Sequence, residues 1–239
     1  MALTLMDIAE RRPGVAAGVP GDSHAGALRE AGAGSSSFYR SAGKRLFDVA
    51  AASALLVMIA PLLLFLLGLV AVQGGRPLFA HNRVGEGGRM FPCLKIRSMR
   101  HNAESELADI LARDPEAARE WAESQKLTHD PRVTPFGRFL RRSSLDELPQ
   151  LLNVLRGEMS IVGPRPITPD ELTRYGAAAS NYLALKPGLT GPWQVEGRND
   201  IGYAERVALD ASYGQSLGLL TDVVIIFKTA LSVLKLTGR

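Results

Sequence analysis

Asp146 and Glu147 are adjacent carboxylates inside the stretch GRFLRRSSLDELPQLLNVLRGEMSIVGPRP, Gly137 to Pro166. Arg138, Arg141 and Arg142 stand just upstream, and Arg165 follows in a stiff Pro-Arg-Pro. Arginine grips phosphate oxygens through paired hydrogen bonds. A carboxylate beside such a cluster can attack phosphorus or hold a divalent cation that bridges a diphosphate. The competing reading is structural. Ser144 and Glu147 have the spacing of a capping box, and the helix dipole favours acids in a first turn. A second cluster, LKPGLTGPWQVEGRND, spans Leu185 to Asp200. Its glycines and prolines predict a tight, fixed loop rather than a strand core. There Trp193 packs or stacks, Gln194 offers donor and acceptor groups, and Arg198 suits phosphate; a structural Ω-loop is the alternative. The chain has no Gly-x-x-x-x-Gly-Lys-Ser/Thr loop, so a nucleotide would have to be held another way.

The elements around these residues are legible. Leu145, Leu148, Leu152 and Leu155 predict a helix with one buried stripe. Residues 76–100 read as strand, Gly-rich turn at Gly85 to Gly88, and strand. Residues 103–127 turn acidic; Leu107, Ile110 and Leu111 recur at helical spacing, and Asp114-Pro115 makes an N-cap and first-turn pair, so two solvated helices are expected. Thr221 to Lys235, TDVVIIFKTALSVLK, predicts an interfacial or packed amphipathic helix. His24, His81, His101 and His129 are scattered, without metal-ligand spacing.

Residues 49–73, VAAASALLVMIAPLLLFLLGLVAVQ, form an uncharged apolar run. At about 1.5 Å per helical residue it can cross a hydrocarbon layer of roughly 30 Å. Arg40, Lys44 and Arg45 precede it; Arg76, Arg83, Arg89, Lys95, Arg97 and Arg100 follow, opposed only by Glu86. Basic flanks favour the cytoplasmic side. Both ends satisfy that rule only if the run bends and returns, and Pro61 supplies a kink. A single span with an ambiguous charge pattern is the competing reading. Residues 1–40, rich in Gly, Ala and Ser, read as a flexible tail. The expected organisation is therefore a tail over 1–40, a re-entrant membrane helix over 41–75, and a cytoplasmic catalytic region over 76–239. The net charge of +4 and pI near 9.4 suit an anionic partner. The basic residues flank an apolar helix rather than line an aromatic-studded surface, which argues against nucleic acid. Cys93 is the single cysteine, which excludes an intrachain disulfide or a cysteine metal cluster.

An ordered series of motifs resembles the bacterial sugar transferases known as monotopic phosphoglycosyl transferases. It comprises KRLFD at Lys44 to Asp48, the proline-containing apolar helix, LKIRSM at Leu94 to Met99, DPRVTPFGRFLRRSSLDELPQLLNVLRGEMSIVGPRP from Asp130, and KPGLTGPWQVEGRN from Lys186. The resemblance covers residues 43–236 or so. The acidic insertion with Glu120-Trp121 looks like the hexose-1-phosphate branch.

The resemblance implies a membrane-associated α+β fold: a re-entrant helix-break-helix anchor, amphipathic interfacial helices and a small α/β catalytic body. It implies transfer of a sugar-1-phosphate from a UDP-sugar to undecaprenyl phosphate, with release of UMP, at the cytoplasmic face of the bacterial inner membrane. Asp146 matches the family nucleophile and Glu147 its dyad partner, with Mg²⁺ held between this pair and the diphosphate. Arg141, Arg165, Lys95 and Arg97 match phosphate-binding positions. Gln194, Gly197 and Arg198 match the nucleotide loop. Lys44, Arg45, Asp48 and Pro61 match the anchor. Ala60-Pro61 stands where Ser-Pro is common, and Pro192 where a bulkier apolar residue is. A homodimer is compatible with the sequence. Direct metal-assisted transfer without a covalent intermediate, and a non-catalytic membrane scaffold, are the rival functions.

Overall fold

The structure is a computed structural model that describes residues 38–74, 76–100, 102–124, 127–196 and 202–234. The tail expected over 1–40 lies almost wholly outside the described residues. A π-helical turn, Tyr39–Gly43, leads into α1, Lys44–Val72. The buried positions of α1 are Asp48, Ala52, Leu63, Leu66 and Val70. Their spacing puts them on one helical face. Ala52 packs in one cluster with Leu151, Val154 and Ile161, Asp48 accepts from Ile161 N–H, and the last three pack with Ile96 and Leu140. Val57, Met58, Leu64, Phe65 and Val72 point away from the protein and are exposed. Pro61 lies inside α1 and does not end it. At 29 residues α1 is long and apolar enough to cross a membrane.

The expected hairpin is present. β1, Leu78–Val84, pairs antiparallel with β2, Met90–Ile96, so that Phe79 faces Lys95 and His81 faces Cys93. Gly87 and Gly88 turn the chain at φ of 66° and 80°, a conformation that glycine adopts without steric cost. The acidic segment folds as α2, Ala103–Arg113, and α3, Pro115–Ser124. Asp114 Oδ1 accepts from the Glu116 and Ala117 backbone N–H groups (2.9 and 3.1 Å), the expected cap.

α4, Pro135–Arg142, is capped by Thr134, whose Oγ1 accepts from Gly137 N–H at 2.9 Å. Gly137 crosses the end of β2 so closely that an added Cβ would lie 1.9 Å from the Ser98 carbonyl oxygen. Gly137→Ala should therefore push α4 off the hairpin at a cost of about 2–3 kcal/mol, read as a lowered melting temperature.

The next segment corrects the sequence reading. One helix with a Ser144–Glu147 capping box was expected. Ser144 instead adopts a left-handed conformation (φ 57°) without a side-chain cap, and Leu145–Glu147 forms a single 3-10 turn. The helix α5, Gln150–Arg156, starts only after Pro149. The Glu147 carboxylate is drawn to Lys95, not back to Ser144. The buried residues of α5 are Gln150, Leu151, Asn153 and Val154, whereas Leu145, Leu148, Leu152 and Leu155 are half-buried. Asn153 decides this rotation: its Oδ1 accepts from Leu94 N–H (3.0 Å) and its Nδ2 donates to Pro92 O (2.8 Å), clamping α5 to β2.

β3, Ser160–Val162, is followed by α6, Pro169–Thr173, α7, Ala179–Leu183, and β4, Gly188–Thr190. β4 runs parallel to β3 and leads into α8, Pro192–Glu196. The segment expected to be a tight loop thus contains a buried strand and a short helix. The glycines serve close backbone approach: a Cβ on Gly188 would sit 2.1 Å from Gly163 N. α9, Tyr203–Ser216, and α10, Leu219–Leu234, complete the described chain. α10 buries Asp222 and Ile225 and exposes Leu220, Val223, Phe227 and Leu231, the amphipathic form expected.

Candidate active site

β2 and the 3-10 turn bring the acidic pair to its partners. Lys95 Nζ donates to Glu147 Oε1 at 2.7 Å. Asp146, next to it, is buried. Ser144 is the one non-glycine residue with positive φ among the described residues, two positions before Asp146. Strained backbone of this kind persists where the surroundings hold it, and here it turns α4 sharply into the acidic pair. Arg141, in the last turn of α4, donates from Nε to Ser98 Oγ at 2.9 Å. That bond ties the arginine to the end of β2.

The two carboxyls are electrostatically unlike. Burial pushes Asp146 up to about 6; Lys95 and Arg141 pull it down, and Glu147 pushes it further up. Burial also raises Glu147, but Lys95, Arg165 and Arg83 outweigh it and hold Glu147 below the ordinary carboxylate range. Glu147 is thus a fixed anion paired with Lys95, while Asp146 titrates close to neutrality. Neighbouring acids whose proton affinities are pushed apart are a mark of divided chemical roles.

Arg165 lies after β3, its guanidinium 5.5 Å from the ring centroid of buried Trp193. Arg206 of α9 lies 4.8 Å from the same ring. Arg97 follows β2, where its backbone N–H donates to Pro77 O at 2.8 Å. Gln194 is on α8, with Nε2 reaching Leu189 O at 3.5 Å. Gly197 and Arg198 lie outside the described residues.

Three of the anchor residues, Lys44, Arg45 and Asp48, turn inward, whereas Pro61 is exposed. Lys44 pairs with Asp222 at 2.7 Å. Arg45 donates to the Val154 and Leu155 carbonyls at the end of α5. Asp48 accepts from Ser160 Oγ and Ile161 N–H, each at 3.0 Å. These bonds join the start of α1 to the protein body.

Sequence reasoning missed Arg83 and Ser98 as neighbours of the site. Arg83 pairs with Glu171 at 3.2 Å and its field reaches Glu147 and Arg165. The hairpin could have given it: counting outward from the Gly85–Gly88 turn puts Phe79, His81 and Arg83 on the face that carries Lys95.

Among the described residues no three His, Cys, Asp or Glu side chains converge to hold a metal on their own. Asp146 and Glu147 still supply the donor type Mg²⁺ takes when one or two carboxylates share it with substrate phosphates.

A family model described as bacterial sugar transferase matches residues 39–236, a span that includes every residue of this site. The chain belongs to the bacterial sugar transferase family. Within that family, it is 49% identical over 195 residues to a Salmonella typhimurium protein named undecaprenyl-phosphate galactose phosphotransferase, covering 82% of this chain and 41% of that protein. It is 52% identical over 187 residues to the exopolysaccharide production protein ExoY of Sinorhizobium fredii, covering 78% and 83%. A Komagataeibacter xylinus protein named undecaprenyl-phosphate glucose phosphotransferase is 41% identical over 202 residues, covering 78% and 35%. This chain therefore spans about two fifths of the Salmonella protein and most of the Sinorhizobium protein.

Proposed function

We propose that this chain transfers a hexose-1-phosphate from a UDP-sugar to undecaprenyl phosphate and releases UMP, the initiating step of a surface polysaccharide. The observation that carries the reading is buried Asp146 beside the Glu147–Lys95 pair, within the fields of Arg141 and Lys95. In the first step an Asp146 carboxylate oxygen attacks the sugar-linked phosphorus. The bond from that phosphorus to the bridging oxygen breaks, and UMP leaves with the oxygen. In the second step a phosphate oxygen of the lipid attacks the same phosphorus, forming the lipid diphosphate sugar and returning the Asp146 carboxylate. Splitting the exchange in this way means the two anionic substrates need not share the site. Lys95, Arg141 and Arg165 bind and orient phosphate oxygens, and Glu147 keeps Lys95 in place. Asp146 and Glu147 would be the residues to hold Mg²⁺, which would supply charge neutralisation for the diphosphate.

The chain acts at the cytoplasmic face of the bacterial inner membrane. The outer faces of α1 and α10 and the exposed Phe139 are the apolar surface for the bilayer. Both ends of α1 pack on the same body, Asp48 and Ala52 against β3 and α5, Val70 against Ile96 and Leu140. That supports a helix that enters and returns to one side. Cysteines placed at positions 42 and 78 should react from the same face; labelling from opposite faces overturns the re-entrant reading. The native Cys93 is buried and does not confuse the assay.

Incubation with UDP-sugar and no lipid should leave a phosphosugar on Asp146, seen as a mass increase on its peptide, with an equivalent of UMP. UMP release that requires the lipid and leaves no adduct would favour direct transfer.

A further inference from the structure

A cleft of about 450 Å³ opens along the free edge of β1. It is lined by Phe79, His81, Asn82, Met90, Glu104 and Asp170, among others. Its position follows from the hairpin register. Phe79 stands directly across from Lys95, which holds Glu147. His81 shares a hydrogen bond of 3.2 Å with Arg83, whose field acts on Glu147. The register thus places the cleft one strand away from Lys95 and its partner Glu147.

The lining has a definite chemistry. Val84 N–H donates away from β2, to Ile167 O at 2.9 Å. In an antiparallel pair the outward-facing residues alternate, so Ala80 and Asn82 also turn their N–H and C=O groups outward, into the cleft. Pro92 confirms the phase: it is the partner of Asn82 and has no N–H to give. Among the described residues no hydrogen bond reaches the Ala80 or Asn82 backbone from that side, and the Asn82, Glu104 and Asp170 side chains make none. Two carboxylates, an amide and two backbone units thus surround a space walled by the Phe79 ring, which is 41% exposed, and by Met90. Acceptors and donors around an aromatic wall suit a ring with several hydroxyls and an apolar C–H face. A strand-like peptide fits less well, because the Val84–Ile167 bridge closes one end of the open edge and Pro169 offers no donor opposite it.

We infer that this cleft is the hexose subsite, with Glu104, Asp170 and Asn82 reading the sugar hydroxyls and Phe79 packing against the pyranose ring. The inference rests on the proposed phosphosugar transfer and adds to it the residues that choose the sugar. Glu104 enters from α2, the first helix of the acidic insertion, which gives that otherwise solvated pair of helices a part in the site.

The test measures UMP release by the full chain in lipid nanodiscs with undecaprenyl phosphate. UDP-glucose, UDP-galactose and their N-acetyl forms are compared for the wild type and for Glu104→Ala, Asp170→Asn and Asn82→Ala. All three residues are exposed, so the variants fold. kcat/KM for the preferred sugar should fall about 10- to 100-fold, as expected when a hydroxyl loses its partner. The ratio between that sugar and its C4 epimer should move towards one. UMP, which lacks the hexose, should inhibit with an unchanged constant. Ratios left as in the wild type, or a loss equal for all sugars with weakened UMP inhibition, overturn the subsite. If the wild type releases UMP from none of these donors, the transfer reading fails and the subsite falls with it; an active wild type with unaltered ratios removes the subsite alone.

Discussion

Asp146→Asn should abolish UMP release, by about three orders of magnitude or more, and at the same time stabilise the fold at pH 8. The first effect follows because an amide cannot make the bond to phosphorus. The second follows from burial. Asp146 is pushed up to about 6 in the folded chain, against an ordinary 3.8. The folded state thus holds this proton more tightly than the unfolded state. Ionising the group is a cost to the fold that grows as pH rises from 3.8 through 6 and is constant above. The gap corresponds to about 3 kcal/mol at pH 8 and about half that at pH 5. Asparagine removes the charge, and part of the gain is offset by its own unmet N–H groups, leaving about 1–3 kcal/mol. Thermal unfolding at pH 8 should rise by a few degrees for a chain of this size, with a smaller rise at pH 5. An inactive variant that melts below the wild type at pH 8 would mean that the buried carboxylate is an ordinary structural acid. Membrane association should be unchanged, since the substitution leaves the apolar outer faces of α1 and α10 intact.

The same titration sets the pH dependence of turnover. In the proposed transfer the attack needs the carboxylate, so kcat/KM should fall as pH drops through about 6. Lys95 is the first of the charges that lower Asp146. Lys95→Met should therefore move the acid limb to higher pH as well as reduce the rate. A limb that stays in place while only the rate drops would assign Lys95 to substrate binding alone.

Local patterns in the chain revealed those parts of the fold whose partners are near in sequence. The hairpin around Gly85–Gly88, the Asp114 cap and the amphipathic form of α10 are of this kind. The helix after Ser144 was misplaced because the deciding contacts are distant: Lys95 captures Glu147 across 52 residues, and Asn153 clamps β2 across 59 and 61. Leucine spacing alone pointed to a face that packs but is only half-buried. Gly188 to Thr190 read as a loop because its glycines suggested turns, whereas they allow β4 to approach Gly163. The site showed the same division. Asp146, Glu147, Arg141 and Lys95 were recognisable from residue type and motif, and the structure brings them together. Arg83, Ser98 and the cleft beside β1 needed the hairpin register, which fixes faces that composition does not.

Asp222→Ala should cost about 3–5 kcal/mol, the range for removing one member of a buried ion pair. Asp222 is fully buried. Its Oδ2 accepts from Tyr39 and from Lys44, each at 2.7 Å, and its Oδ1 accepts from Tyr213 at 2.6 Å. One carboxylate therefore joins the turn before α1, the end of α9 and the start of α10. Alanine leaves the Lys44 ammonium, largely shielded from solvent, and two hydroxyls without that acceptor. The melting temperature should fall by about 6–15 °C, and the Tyr39–Lys44 segment should become open to proteolysis before the rest of the chain. Asp222→Asn should be milder, because an acceptor oxygen remains for the tyrosines. The double variant Lys44→Met with Asp222→Leu should recover part of the loss, since it removes the stranded charge as well as its partner. A single alanine variant as stable as the wild type, or a double variant no better than the single, would show that this junction does not fasten the apolar helix to the body. In that case the Arg45 bonds to the end of α5 and the Asp48 bonds to β3 must hold α1 by themselves.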